Sequence, residues 1–297
     1  MSNKPRFISV LPEIIKAFTK ANKQVFDKWD ISEIFEENKD KWRLPLYMDL
    51  NIFMDQLAGQ TFLKEAKIEF PDVPTSRLFY YDTASAYEIS SGIFPKGYLS
   101  HYSAVALWGL TEQIPKTIYI TVEQSNSPAK AIRSELEQKN IDAAFRKPQR
   151  QSGTSSEIGE YKIILLRGKN TKNLGVSQFD DEDLKDVRLT DLERTLIDIV
   201  VRPSYSGGVS EVIKAFRNAN ESHKVSVNRM SGYLSRMNFI YPYHQAIGFY
   251  LEAAGYKKSQ VDIFASRDKE FDFYLTYDMR DMDYSQKWRI YYPKGLI

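Results

Sequence analysis

Leu46-Tyr47-Met48-Asp49-Leu50-Asn51-Ile52-Phe53-Met54-Asp55-Gln56-Leu57-Ala58-Gly59 is followed by two further runs, Phe62-Leu63-Lys64-Glu65-Ala66-Lys67-Ile68-Glu69-Phe70 and Arg77-Leu78-Phe79-Tyr80-Tyr81. In the first stretch Leu46, Leu50, Phe53, Met54 and Leu57 recur at helical spacing, with Pro45 before them, Asp49 available as a cap and Gly59 as a stop. The two later runs are β-type, and Pro71-Asp72-Val73-Pro74 between them reads as a hairpin turn. Working outward, Phe7, Ile8, Leu11, Ile14, Ile15 and Phe18 define one amphipathic helix, and Ile31, Ile34 and Phe35 define a second starting at about Asp30. Three helices followed by a hairpin is the order of elements in a winged helix. This reading assigns residues 1–90 to a winged helix-turn-helix domain.

From residue 91 to 297 the pattern predicts a larger mixed α/β and helical region, so the expected class is α+β. Ser100 is expected to cap a helix carrying Val105, Ala106 and Leu107, and Thr117–Val122 reads as a strand. Ser127-Pro128 opens a helix to about Asn140. Ala144-Phe145-Arg146 and Tyr161–Leu166 read as strands, and residues 149–156 as a polar loop. Thr190-Asp191-Leu192-Glu193 has the form of a capping box, starting a helix with Leu192, Leu196, Ile197, Ile199 and Val200 on it. Further helices are expected around 210–219, 227–237 and 244–254. Val261–Phe264, Phe271–Leu275 and Trp288–Tyr292 alternate like strands.

Composition narrows the function classes. The 297 residues are 42% apolar and 27% charged, ordinary for a globular protein. With no cysteine, disulfides, thiolate zinc sites and cysteine nucleophiles are excluded. The basic start, Met1 to Arg6, leads into no apolar core of signal-peptide length, and no run is long enough to cross a bilayer, so a cytoplasmic protein is expected. The net charge of +2 conceals an acidic run (Asp180, Asp181, Glu182, Asp183, Asp186). It also conceals a basic stretch (Arg146, Lys147, Arg150, Lys162, Arg167, Lys169, Lys172). His101, His223 and His244 form no ligand-spaced pair, and no metal or cofactor is expected.

Three segments, taken together, resemble the AbiEi family of antitoxins from bacterial type IV toxin–antitoxin (abortive infection) systems. The first runs Gly97-Tyr98-Leu99-Ser100-His101-Tyr102-Ser103-Ala104-Val105-Ala106-Leu107-Trp108-Gly109-Leu110 and on to Pro115. The second is Leu189-Thr190-Asp191-Leu192-Glu193-Arg194-Thr195-Leu196-Ile197-Asp198, with Arg202 to Gly208 behind it. The third is Ala246-Ile247-Gly248-Phe249-Tyr250-Leu251-Glu252, where Ala246 stands in place of the arginine common in the family. The resemblance implies a non-enzymatic transcriptional autoregulator that represses its own operon by binding upstream inverted-repeat DNA, two copies per site. It also implies antitoxin action, direct or indirect, against a nucleotidyltransferase-like toxin.

In a winged helix the third helix enters the major groove and the wing touches the flanking backbone. Tyr47, Asn51 and Gln56 are therefore the candidates for base edges. Lys39, Lys41 and Arg43 before the helix, and Lys64, Lys67 and Arg77 in the hairpin, are the candidates for phosphates. Glu36, Glu37, Asp40, Asp49 and Asp55 nearly cancel these charges. The antitoxin surface is assigned to Arg146, Lys147, Arg150, Lys162 and Arg167, with Lys214, Arg217, Lys224, Arg229 and Arg236 later in the chain. Glu193, Arg194 and Asp198 are read as structural, through capping and an i,i+4 ion pair. Tyr205-Ser206-Gly207-Gly208 reads as a tight turn, and His101 as a helix-start residue rather than a partner of serine. The alternatives are a metal-dependent nuclease using Asp142, Glu160 and Lys162, and a DNA-binding regulator with no toxin partner.

Overall fold

Apolar spacing sets the first elements. The computed structural model describes residues 6–71, 73–125, 136–179 and 181–297. In it, α1 (Arg6–Ser9) and α2 (Leu11–Lys20) bury Phe7, Ile14 and Phe18. After β1 (Val25–Phe26), α3 (Lys28–Asn38) begins two residues earlier than the apolar pattern suggests at Asp30. The Asp27 carboxylate accepts the Trp29 and Asp30 amides, while the Asp30 side chain accepts the Asp27 amide, a closed capping box. Then α4 (Leu50–Ala58) starts four residues later than predicted. Asp49 caps it, accepting the Ile52 amide at 2.9 Å, and a turn from Pro45 to Met48 holds Leu46 wholly in solvent.

The predicted hairpin is β2 (Lys64–Phe70) against β3 (Val73–Tyr80), antiparallel, with Lys64 opposite Tyr80 and a register shift between Ile68 and Phe70. Val73 and Pro74 belong to the strand rather than to the turn. β1 pairs with the free edge of β3, completing a three-stranded sheet of order β1-β3-β2. α5 (Ala86–Ile93) closes against it, and Gly92 allows that approach, since a Cβ there would lie 2.8 Å from a Val25 methyl. The helices enclose an aromatic core around Phe53, which meets Phe7, Phe35 and Trp42 at ring separations of 5.6, 4.9 and 5.9 Å.

These elements form a first compact unit, residues 1–97, which also takes in residues 154–163 and 178–188. The rest of the chain forms a second unit. It opens with β4 (Tyr98–Leu99), α6 (His101–Leu107), β5 (Thr117–Glu123) and α7 (Gln138–Phe145). The short β6 (Ser155–Ile158) lies in the first unit, and β7 (Tyr161–Gly168) carries the chain into the second at Ile164. β8 (Val176–Gln178) and β9 (Arg188–Thr190) follow. Within the second unit the central strands lie in the order β7-β5-β4-β9. β4 is antiparallel to β5 (Leu99 opposite Ile120) and parallel to β9 (Leu99 opposite Leu189).

Against these strands pack α8 (Leu192–Val201), α9 (Val209–Ser222), α10 (Val227–Met237), α11 (Tyr243–Ala253) and α12 (Lys258–Ala265). A small sheet ends the chain: β10 (Phe273–Tyr274), β11 (Met282–Ser285) and β12 (Ile290–Pro293), in the order β10-β12-β11. The class is thus α+β, as expected, and α9, α10 and α11 fall where periodicity placed them.

Three local expectations are corrected. Ala144-Phe145-Arg146 is the end of helix α7 and its cap, with the Phe145 ring stacked on Tyr277 at 4.2 Å. Val261–Phe264 lies inside helix α12, since Val261 and Phe264 are buried three residues apart while Asp262 is exposed. The cap of α8 is Asp191, which accepts the Arg194 amide at 2.8 Å; Thr190 still belongs to β9 and bonds Thr195 instead. The expected helix start at Ser127-Pro128, the first residue of the acidic run, Asp180, the turn residue Asp72 and residues 1–5 lie outside the described residues. No helix among the described residues is long and apolar enough to cross a membrane.

Candidate functional site

In the first unit, α4 buries Phe53, Met54 and Leu57 and leaves Asn51, Ile52, Asp55 and Gln56 facing solvent. This follows from the 3.6-residue period: 53, 54 and 57 share one face, and 51, 52, 55 and 56 fall on the other. The amides of Asn51 and Gln56 make no side-chain hydrogen bond among the described residues and are free to meet a partner. Tyr47 is 73% exposed in the turn just before α4 rather than on the helix. A groove of about 480 Å³ runs beside Asn51, bounded by Lys28 and Trp29 at the start of α3 and by Thr75 and Arg77 on β3. Trp29, 80% exposed, was not singled out by the sequence reading. An exposed tryptophan departs from the usual burial of that residue type, but its position one residue before the predicted start left it unread.

The predicted phosphate contacts divide into two groups. Arg77 is committed internally, with Nε 2.6 Å from Glu65 and a terminal nitrogen 2.9 Å from Asp55. It therefore braces the hairpin against α4 rather than projecting outward. Lys39 pairs with Glu36 at 2.6 Å, Lys64 with Asp82, and Lys67 loosely with Glu65 at 3.9 Å. These lysine pairs are exposed and are exchanged easily for another anion. Lys41 and Arg43 are exposed and make no ion pair among the described residues. Arg43 sits at φ 52°, in the turn after α3.

Of the residues assigned to an antitoxin surface, Arg146, Lys147, Arg150 and Arg167 are exposed in the second unit, while Lys162 lies on the first-unit part of β7. Lys214 and Arg217 project from one face of α9, and Lys224 is exposed just after it. On α10, Arg229 reaches Glu193 at 3.2 Å and Arg236 lies over the Tyr233 ring. Asp142 accepts from Gln138 and from Tyr274 inside the second unit, whereas Glu160 and Lys162 sit at the β6–β7 hairpin of the first. Among the described residues no cluster of acidic or histidine side chains could hold a metal ion.

The sequence segments that carry the resemblance meet in the second unit around α8. Arg194 is buried and fully engaged: Nε donates to Asp198 at 2.8 Å, one terminal nitrogen to the Leu174 carbonyl at 2.6 Å, and the other to the Tyr98 hydroxyl at 3.2 Å. Glu123 lies behind it, accepting the Thr171 amide at 2.8 Å and the Asn173 amide at 3.2 Å. Burial pushes the Glu123 carboxyl up, but these donors and Arg194 outweigh it and hold it below the usual carboxylate range. Asp198 goes the other way, because burial outweighs its pairing with Arg194. The i,i+4 pair was legible in the sequence; its burial was not.

Ser100 and His101 correct a second reading. The Ser100 hydroxyl does not cap α6; it bonds His101 Nδ1 at 2.8 Å and the Thr121 hydroxyl at 2.7 Å. His101 is buried at φ 52°, its ring edge-on to Tyr205 at 5.6 Å. Burial, reinforced by Arg202 and Arg194, pushes its pKa down to about 3, so it is neutral at ordinary pH. Glu193, expected to close a capping box, instead accepts the Ser226 amide at 2.7 Å and Arg229, tying α8 to α10. Tyr205 to Gly208 is a tight turn, as read, with Gly207 and Gly208 at φ 79° and 89°.

No family model matches the chain, and no curated protein matches it. Among solved structures, the crystal structure of the RV2827C protein from Mycobacterium tuberculosis is similar in fold. It matches with a TM-score of 0.54 and 12% identity, over 94% of this chain and 89% of that one. At that identity the likeness speaks to the fold.

Proposed function

We propose that this chain is a DNA-binding autoregulator and antitoxin. Its first unit is a winged helix that binds inverted-repeat DNA upstream of its own operon. Its second unit counteracts a nucleotidyltransferase-like toxin encoded beside it. The observation that carries the DNA part is the solvent face of α4. Its two amide side chains, Asn51 and Gln56, are uncommitted, and each can pair bidentately with adenine in the major groove. The element order supports it as well: two helices, a strand, two more helices, then a hairpin whose exposed Lys64 and Lys67 suit the wing. The antitoxin part rests on the resemblance of the three segments, together with the exposed cations of α9 and α10.

A transcriptional reporter fused to the upstream DNA tests this reading in cells, with the neighbouring toxin gene co-expressed in a second arm. Repression by the wild type, lost in Asn51→Ala/Gln56→Ala while rescue from the toxin persists, is the expected pattern. Repression unchanged by the double substitution would overturn the assignment of α4. Failure to rescue would overturn the antitoxin half and leave a regulator without a toxin partner.

A further inference from the structure

The second unit holds a charge imbalance that its own side chains leave unresolved. A cavity of about 80 Å³ is lined by His101, Lys169, Arg194, Asp198 and Arg202, among others. That is room for several water molecules, or for one compact tetrahedral oxyanion. Three cations face it against one lining carboxylate, Asp198, and that carboxylate is already paired with Arg194 at 2.8 Å. Glu123 lies behind Arg194 and does not line the cavity. The Arg202 guanidinium makes no ion pair or hydrogen bond among the described residues and stacks on the Tyr205 ring, 5.8 Å from its centroid. Lys169 donates to the Asn238 carbonyl at 2.6 Å, so its charge also lacks a counter-ion. Arg202 is half-buried with no paired anion, which is costly to hold, and the exposed Lys169 adds a second unpaired cation beside the same cavity, so an anionic occupant suits it.

His101, which also lines the cavity, suits the same occupant. His101 Nδ1 lies 2.8 Å from the Ser100 hydroxyl, which also meets the Thr121 hydroxyl at 2.7 Å; in the tautomer in which Ser100 donates to Nδ1, the ring proton sits on Nε2. That nitrogen then donates without carrying charge. A planar guanidinium, an ammonium and an imidazole N–H around one small volume match an acceptor with several oxygens in different directions. A carboxylate, with two coplanar oxygens, satisfies fewer of them.

We infer that this cavity binds a phosphate group, either as free inorganic phosphate or as the phosphate of a mononucleotide, through Arg202, Lys169 and His101. The site is separate from the DNA-reading face of α4 and does not depend on it.

Isothermal titration calorimetry on the full chain, without DNA, tests this with inorganic phosphate, adenosine 5′-monophosphate and adenosine. Saturable one-to-one binding of a phosphate-bearing probe is expected, weakened at least about tenfold in both Arg202→Gln and Lys169→Gln. Lys258→Gln, exposed at the start of α12, keeps the wild-type affinity. Tighter binding of the monophosphate than of inorganic phosphate identifies a nucleotide as the occupant, and the reverse identifies the free ion; either supports the proposal. Adenosine binding as well as its monophosphate would overturn it. So would the absence of binding by either phosphate probe, or an affinity that neither substitution changes. Thermal melts of both variants establish that they are folded before the comparison is made.

Discussion

Gly248 and His101 show what single residues decide in the second unit. Gly248, at the centre of the third family-like segment, is a seat for the Trp288 ring: a Cβ there would lie 2.0 Å from the indole. The same indole donates to Glu252 at 2.6 Å, one turn further along α11. Gly248→Ala is therefore expected to destabilise the fold by about 1–3 kcal/mol through overpacking, despite the gain in helix propensity, read as a lower melting temperature. An unchanged melt would mean that Trp288 is not seated there. The sequence marked this glycine as part of a motif but could not supply the reason, because its partner lies forty residues away.

His101 predicts a pH dependence. Its folded pKa, about 3, lies below the ordinary value of 6.5, so the unfolded chain takes up a proton that the folded one refuses. Its contribution to stability is complete above pH 6.5 and is lost as pH falls from 6.5 toward 3, at up to about 1.4 kcal/mol per pH unit. His101→Asn, with a residue that tolerates φ near 52°, should flatten the fall in melting temperature between pH 6.5 and 5. An equal slope in wild type and variant would contradict a buried neutral histidine. Charged residues such as Arg194 and Asp198 gave no sign of their burial in the sequence, because burial is a property of the fold and composition carries no trace of it.

At the scale of elements, what was legible followed from periodicity over long segments. α9, α10 and α11 each extend for three turns or more and were placed correctly. Short segments failed: Ala144-Phe145-Arg146 and Val261–Phe264 offer three or four residues, too few to separate a period of 2 from one of 3.6. Cap chemistry failed by one residue at α8, where both Thr190 and Asp191 are good N-caps and β9 claims the first. In the first unit, α4 and the β2–β3 hairpin are expected to play different parts in binding. Asn51→Ala should cost about 1–3 kcal/mol of affinity for the upstream DNA and little for unrelated duplex. Lys67→Ala should weaken both alike and reduce the salt slope by about one. Binding assays on paired specific and scrambled duplexes separate the two. If Asn51→Ala weakens both duplexes equally, α4 does not read bases.

For the whole molecule, the proposed function divides the labour between the two units: DNA at the first, and the toxin-directed activity at the second, where the three resembling segments converge around α8. The predicted basic surface is distributed over α9, α10, β7 and the loop after α7, and the structure adds a buried polar cluster that surface-charge reasoning could not reach. We propose that the first unit reads DNA sequence. It is tested most directly by a salt titration of binding to the DNA upstream of the gene, beside a scrambled duplex of the same length. A preference for the upstream DNA that survives physiological salt and is lost in Asn51→Ala/Gln56→Ala is expected. Equal, weak binding to both duplexes that vanishes as salt rises would contradict it.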